Sequence, residues 1–162
     1  MKKRSFRSYL ALLPAVLIMG LIFQMSANEA EESTEQSMWV SYCLVDAGSF
    51  LFGQELDPGE REVKALGMEE VVRKCAHMTE YAILTLSVWF AMVFWTNSKK
   101  MLYFSTVLFC VFYASTDEYH QTFVRGRSGK IQDVFVDSVG ILLMTALLYF
   151  IDRRKSRVKA SE

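Results

Sequence analysis

Apolar residues are concentrated in four runs of the chain, at about 9–25, 72–95, 101–124 and 131–151. A membrane-spanning helix needs roughly 20 predominantly apolar residues, so the first run is at the short end of the spanning range and the others are of full length. Links of only about four and six residues separate the last three runs, and links this short join antiparallel helices. The pattern predicts an all-α polytopic membrane protein, with a bundle of four transmembrane helices in one domain, residues 1–162.

The first apolar run could instead be a signal peptide. Met25-Ser26-Ala27 is a poor cleavage site of the right general kind. Three further apolar runs follow it, and this favours a retained first helix.

Residues 26–71 form a polar region that contains eleven of the eighteen acidic residues. Inside it, residues 38–53 place Val40, Leu44, Ala47 and Leu51 at helical spacing, with polar residues opposite. This segment is too short and too polar to cross a membrane, so we expect an amphipathic interfacial helix on the outer surface or dipping into the bundle. Asp57-Pro58-Gly59 predicts a turn, and a short charged helix is expected to follow through Glu70.

The distribution of Lys and Arg predicts the orientation of the helices. Eleven of these cations flank one side of the four runs, at the N-terminus, at residues 99–100 and in the C-terminal tail, and seven flank the other side. Cations are enriched in cytoplasmic loops. We therefore expect both termini to be cytoplasmic and residues 26–71 and 125–130 to face outward.

Composition and motifs restrict the function classes. Lys plus Arg and Asp plus Glu both number 18, so net charge indicates neither an acidic nor a basic partner, and no nucleic acid partner is predicted. Cys43, Cys75 and Cys110 lack the spacing of a metal site, and an odd count leaves no complete disulfide framework. The sequence has no Gly-rich phosphate loop, CxxC, HExxH or GxSxG motif, so no cofactor is predicted.

Ionisable residues of three predicted helices share one depth. With a rise of about 1.5 Å per residue, Glu80 and Asp117 lie roughly 24 Å above the cytoplasmic helix ends, and Asp137 roughly 21 Å. By the same rule Asp133 and His77 lie roughly 27 and 28 Å up. An ionised Asp near the middle of a membrane costs about 2.5–3.5 kcal/mol, so these groups must face inward, pair or reach water. The pattern predicts one outward-facing polar pocket within the bundle.

Structural roles would account for several of these residues singly. Lys74 could extend toward the surface, the cations of the 125–130 link could cap a loop, and Asp133 is favoured at a helix N-terminus by the helix dipole. Glu80, Asp117 and Asp137 are different, because neutral residues would pack more cheaply at their depth. We therefore favour a functional site for the cluster as a whole.

Two motifs contain these residues. Residues 73–81 resemble the RKxAHxxEY element of the VanZ-like membrane protein family. Residues 117–140 resemble its second element, DExxQxFxxGRSxxxxDxxxDxxG, and Phe23-Gln24-Met25-Ser26 resembles the close of its first helix. The resemblance extends over nearly the whole chain. It implies a small polytopic membrane protein, and the founding member of the family gives low-level resistance to the glycopeptide teicoplanin.

The resemblance and the shared depth together select the candidate site residues. The predicted catalytic residues are His77, Glu80, Asp117, Glu118, Asp133 and Asp137, and the predicted substrate-binding residues are Lys74, Tyr81, Gln121, Arg125 and Arg127.

Three functions are compatible with such a site. The first is binding or acid–base processing of a lipoglycopeptide or a lipid-linked cell-envelope molecule, with Arg side chains on an anionic headgroup. The second is a membrane enzyme that depends on a divalent metal, since carboxylates and His bind Mg²⁺, Mn²⁺ or Zn²⁺. The third is a scaffold or partner subunit in which the polar layer locks helix packing. The residues alone are compatible with an enzyme and with a binding protein, and the lipid bilayer is a partner in every case.

Overall fold

The structure, a computed structural model, describes the backbone of residues 6–161 and the side chains of residues 6–154. This part of the chain is all-α and contains no strand: α1 (Phe6–Leu10), α2 (Leu13–Ser26), α3 (Ala30–Phe52), α4 (Pro58–Met92), α5 (Lys99–Gln121) and α6 (Ile131–Ser161). Lys2, Lys3 and Arg4, and the side chains of Lys155, Arg157 and Lys159, which the orientation count includes, lie outside the described residues.

Helix α4 is a single helix of 35 residues, so the prediction of a separate charged helix ending near Glu70 is wrong. It begins at an N-cap, where the Asp57 carboxylate accepts hydrogen bonds from the backbone N–H groups of Gly59 and Glu60. Ion pairs between residues four apart, Glu69–Arg73 and Glu70–Lys74, lie where the break was expected. Such pairs stabilise a helix. The charged residues that led to the prediction of a helix end therefore stabilise the continuous helix.

Helix α3 begins at Ala30, eight residues before the predicted start at residue 38, and packs antiparallel against the first half of α4. The guanidinium of Arg61 donates two hydrogen bonds to the Asp46 carboxylate, at 2.6 and 2.7 Å. Gly53 ends α3 with a left-handed φ of 62°, which glycine adopts without steric cost. Residues 30–72 therefore form a helical hairpin, which we call the outer hairpin.

The second half of α4 forms a bundle with α2, α5 and α6. Its core contains Ile22, Leu84, Cys110 and Ile141, all almost completely buried. At the end farthest from the outer hairpin, Trp95 Nε1 donates to the Ser8 carbonyl, and Tyr103 donates to Asp152. Many large apolar side chains point away from the bundle, as expected of a surface in contact with lipid.

Two stretches of the described chain, Phe6–Ser26 and Ile131–Arg154, are long and apolar enough to cross a membrane. The first has a break between α1 and α2, just before Pro14. Helices α4 and α5 contain no stretch of similar length that is equally apolar and equally poor in charged residues. Charged residues occupy one end of the apolar run in each of these two helices, Arg73, Lys74 and Glu80 in α4 and Asp117 and Glu118 in α5.

Candidate functional site

The predicted site residues meet where the outer hairpin joins the bundle. They come from α4, α5, α6 and the 122–130 link, and most of them line one cavity of about 390 Å³. We call this cavity the polar cavity. Its predicted members are Lys74, His77, Glu118, Gln121, Arg127, Asp133 and Asp137.

A close helix crossing positions His77 and Asp137. Asp137 of α6 is 1% exposed, and its Oδ1 lies 3.9 Å from His77 Nδ1 in α4. Three residues further along α6, a Cβ atom at Gly140 would collide with the backbone carbonyl of Met78. Glycine at position 140 therefore permits the approach that brings the carboxylate to the imidazole.

Asp117 is a buried hydrogen-bond acceptor that joins α5 to the end of α2. Its Oδ2 accepts from Ser26 Oγ at 2.8 Å and from Gln121 Nε2 at 3.3 Å. All three side chains are buried. Its second oxygen, Oδ1, is also buried and has no hydrogen-bond partner among the described residues. The predicted catalytic Asp117 and substrate-binding Gln121 therefore share a network with a serine of the first apolar run.

The 122–130 link folds back over the end of α5 and contacts Glu118. Its Oε2 accepts a hydrogen bond of 3.0 Å from the backbone N–H of Lys130. Gly129 lies so close to the Glu118 carbonyl that a Cβ there would collide with it, and Gly126 has a φ of 76°. The two glycines let the link turn tightly enough to place Arg127 beside the carboxylates.

Tyr81 lies in the core and does not line the polar cavity. It is completely buried, its ring centroid lies 6.5 Å from that of Tyr113, and its hydroxyl lies near the Asp117 carboxylate. Its assignment as a substrate ligand stays a prediction.

Arg127 is the half-buried cation of the site. Its Nη2 donates a long hydrogen bond of 3.4 Å to the Met25 carbonyl, and no carboxylate among the described side chains forms an ion pair with it. Burial lowers the pKa of the Arg127 guanidinium from its usual value, an effect that nearby Asp117 opposes. An arginine remains charged under these conditions. The site therefore contains a permanent positive charge with unused donors.

The other two predicted cations are placed differently. Lys74 lines the polar cavity, but its Nζ is held 2.6 Å from Oε1 of Glu70, and this hydrogen bond keeps the pKa of the Glu70 carboxyl below its usual value. Arg125 is exposed and lines neither cavity. Its carbonyl accepts from the Ala30 N–H at 3.3 Å, so its main chain connects the link to α3.

Glu80 faces a second cavity of about 210 Å³ on the other side of Arg127, which we call the apolar cavity. Its apolar members are Met25, Val40, Val72 and Ala76. Glu80, Asp117 and Asp137, the three acids predicted to share one depth, lie in one region of the structure. Glu80, however, lines a different cavity from Asp137.

Several residues of the site were not predicted. Arg73 lines both cavities and stands inside the first motif, so the motif could have identified it. Ser26 and Ser33 come from the end of α2 and the start of α3, and a single serine gives no pattern from which its partner can be inferred. Lys130 and Gln132 complete the wall of the polar cavity.

The described residues contain no group of three or more His, Cys, Asp or Glu side chains placed to hold a metal ion. The His77–Asp137 pair alone is too few ligands for a protein zinc site, which uses three or four.

Residues 11–152 match the model of the VanZ/LLP1 family, which covers nearly the whole bundle and both motifs. The chain belongs to the VanZ/LLP1 family. No curated protein and no solved structure matches it. VanZ/LLP1 membership and the two strongly apolar helices together indicate a membrane protein.

Proposed function

We propose that this VanZ/LLP1 protein binds the anionic headgroup of a cell-envelope amphiphile in its polar cavity, at the outer surface of the membrane. Lipoglycopeptide resistance, with teicoplanin as the reference drug, is the phenotype expected of it. The supporting topology has four spans, formed by α1–α2, the second half of α4, α5 and α6, with both termini in the cytoplasm. The outer hairpin and the 122–130 link then face outward.

The unpaired guanidinium of Arg127 carries this proposal. No described carboxylate lies within ion-pair distance of this half-buried guanidinium, and an anion in the cavity would lower the cost of its burial. The planar guanidinium also offers paired donors that match phosphate or carboxylate oxygens. Arg73, Lys74 and Lys130 line the same cavity and add positive charge around the headgroup.

The acidic members of the site restrict what such an anion can be. Glu118, Asp133 and Asp137 line the same cavity as the cations, and they would repel a ligand that is anionic throughout. A headgroup that combines an anionic group with hydroxyl, amide or ammonium donors can bind both the cations and the carboxylates. If the protein also catalyses a reaction, His77 beside Asp137 is the pair placed to move a proton.

Replacing Arg127 tests the proposal. In a susceptible Gram-positive host, we expect Arg127→Gln to abolish most of the teicoplanin protection given by the wild-type chain. Removing one partner of a buried charge pair costs about 2–5 kcal/mol, or at least roughly thirtyfold in affinity. Arg127→Lys keeps the charge without the paired donors, so partial protection is expected.

The matched control is Arg154→Gln. It makes the same change in charge at an exposed position near the other end of α6. Full protection by Arg127→Gln, at a membrane abundance equal to that of Arg154→Gln, would contradict the proposal.

A second candidate function is a scaffold or partner subunit, favoured by one observation. Ser26, Asp117 and Gln121 form a buried network that joins α2 to α5, which is what a purely structural polar layer requires. A scaffold would lose abundance and phenotype together. If Asp137→Asn loses protection at normal abundance, the scaffold is excluded; if every loss of protection follows a loss of protein, it replaces our first proposal.

A further inference from the structure

The polar cavity and the apolar cavity are adjacent compartments. Ser33, Arg73, His77 and Arg127 line both of them. These four side chains come from α3, α4 and the 122–130 link, so a ligand that contacts Arg127 from one compartment lies one side chain away from the other.

The two compartments differ in chemistry. The polar cavity is lined by cations and carboxylates, whereas Met25, Val40, Val72 and Ala76 supply apolar walls to its neighbour. The apolar cavity also has eight polar lining residues, Ser26, Ser33, Gln36, Ser37, Arg73, His77, Glu80 and Arg127. Val72 lies two turns of α4 from Glu80, so the apolar cavity follows α4 for about 12 Å from the bundle toward the outer hairpin.

Apolar surface continues beyond this cavity along α3. Val40, Leu44 and Leu51 occupy one face of the helix by their spacing, and they are 37%, 47% and 76% exposed. Val40 lines the apolar cavity, so the strip begins at the wall of that cavity.

We infer that the apolar cavity holds the alkyl chain of the amphiphile whose anionic headgroup binds Arg127, so that the ligand class is an anionic amphiphile bound across the Arg73–His77–Arg127 wall. This inference rests on the proposed function, because it takes Arg127 as the headgroup ligand. The unpaired charge at the boundary between a polar and an apolar compartment matches the boundary between headgroup and chain in such a molecule. Each methylene that enters the cavity should tighten binding by up to about fourfold.

The test measures binding of ethyl, hexyl and decyl phosphate, each as its glycerol ester so that the headgroup joins an anionic phosphate to hydroxyl donors, to the purified full-length protein in lipid nanodiscs, with empty nanodiscs subtracted. Affinity should rise with chain length in the wild type. In Ala76→Leu, which fills the cavity with an apolar side chain, ethyl phosphate should bind as before and the gain with chain length should largely disappear. Ala146→Leu makes the same substitution at an exposed α6 position outside both cavities and away from the α3 strip and should retain the gain.

The possible results separate the inference from the function beneath it. Ethyl phosphate that binds in an Arg127-dependent way without any benefit from a longer chain would overturn the inference and leave the headgroup site standing. A gain with chain length that survives Ala76→Leu would overturn it as well, because the chain would then lie elsewhere. If none of the three phosphates binds, or if Arg127→Gln binds them equally well, the proposed function fails together with the inference.

Discussion

Gly140 of α6 lies directly against the backbone carbonyl of Met78 in α4, with no room between them for a methyl group. The contact lies beside the polar cavity, one residue from His77 along α4 and three from Asp137 along α6. Backbone cannot move aside as a flexible side chain can, so glycine at this point fixes how close the two helices come.

Gly140→Ala should destabilise the protein by about 1–3 kcal/mol or more, as expected when an atom is added to a well-packed contact. Thermal unfolding of the purified protein, followed by circular dichroism, measures the loss. Gly67→Ala is the matched control in α4, where a Cβ meets nothing within 4 Å, and it should be neutral or stabilising by up to about 1 kcal/mol. Equal stability of Gly140→Ala and the wild type would show that the crossing is not as tight as described.

Ser26→Ala should cost about 1–3 kcal/mol, because it removes a donor from the buried Asp117 carboxylate. Asp117→Asn in the same assay completes a double-mutant cycle, and the two changes should be non-additive by about 0.5–3 kcal/mol. Ser115→Ala is a suitable control, since the Ser115 hydroxyl is exposed and bonds only to the Val111 carbonyl of its own helix. Strict additivity of the Ser26 and Asp117 changes would mean that the hydrogen bond does not connect α2 to α5.

Stability of the outer hairpin should depend on pH through Asp46. Its hydrogen bond from Arg61 lowers the pKa of the Asp46 carboxyl from the ordinary value of 3.8. The stabilisation is therefore complete above that ordinary value and is lost as the pH falls through the lowered one. The difference in unfolding free energy between wild type and Asp46→Asn should be small and constant near neutral pH and should vanish in strong acid.

Added salt should reduce the same difference, because both side chains are exposed to solvent. Glu62→Gln removes an exposed carboxylate of the hairpin that forms no ion pair among the described side chains, and it is the control for the change in net charge. A difference for Asp46→Asn that grew toward acid pH would have the wrong sign for this ion pair.

Native cysteines report the proposed topology. Cys43 of α3 is exposed, and Cys110 is completely buried in the bundle. In intact cells, a Cys75→Ser variant of the protein should therefore react with a membrane-impermeant maleimide through Cys43. The Cys43→Ser/Cys75→Ser double variant, which retains only Cys110, should not react. Labelling of Cys43 that required permeabilised membranes would place the outer hairpin in the cytoplasm.

Much of the fold could be predicted from apolar runs and turn residues. The helical class and the short links before α5 and α6 follow from local pattern. Asp57-Pro58-Gly59, predicted as a turn, is instead the N-cap and the first two residues of α4. The continuity of α4 was not predicted. By their charge, Glu69, Glu70, Arg73 and Lys74 look like a surface segment, whereas their spacing of four residues favours ion pairs within one helix. The early start of α3 was missed for a related reason, since Glu31 and Glu32 are favourable in the first turn of a helix.

The height of the candidate site along the helices could be predicted from the sequence, but the contacts of its side chains could not. Helical rise alone places His77, Asp117 and Asp137 at similar heights, and the structure brings them to one region. Which neighbour each side chain faces depends on rotation about the helix axes and on the closeness of the crossings. The Ser26–Asp117 hydrogen bond and the separation of Glu80 from the polar cavity depend on those two quantities, which no local pattern encodes.

The unbroken course of α4 gives the outer hairpin a mechanical link to the helix bundle. Its 35 residues form a shaft about 50 Å long, with Asp57 at one tip and His77 and Glu80 past the midpoint. Because there is no joint along this shaft, a tilt of the hairpin must also displace the imidazole and the carboxylate against α6. A molecule that pulled on the hairpin would thereby reshape the cavity without entering it.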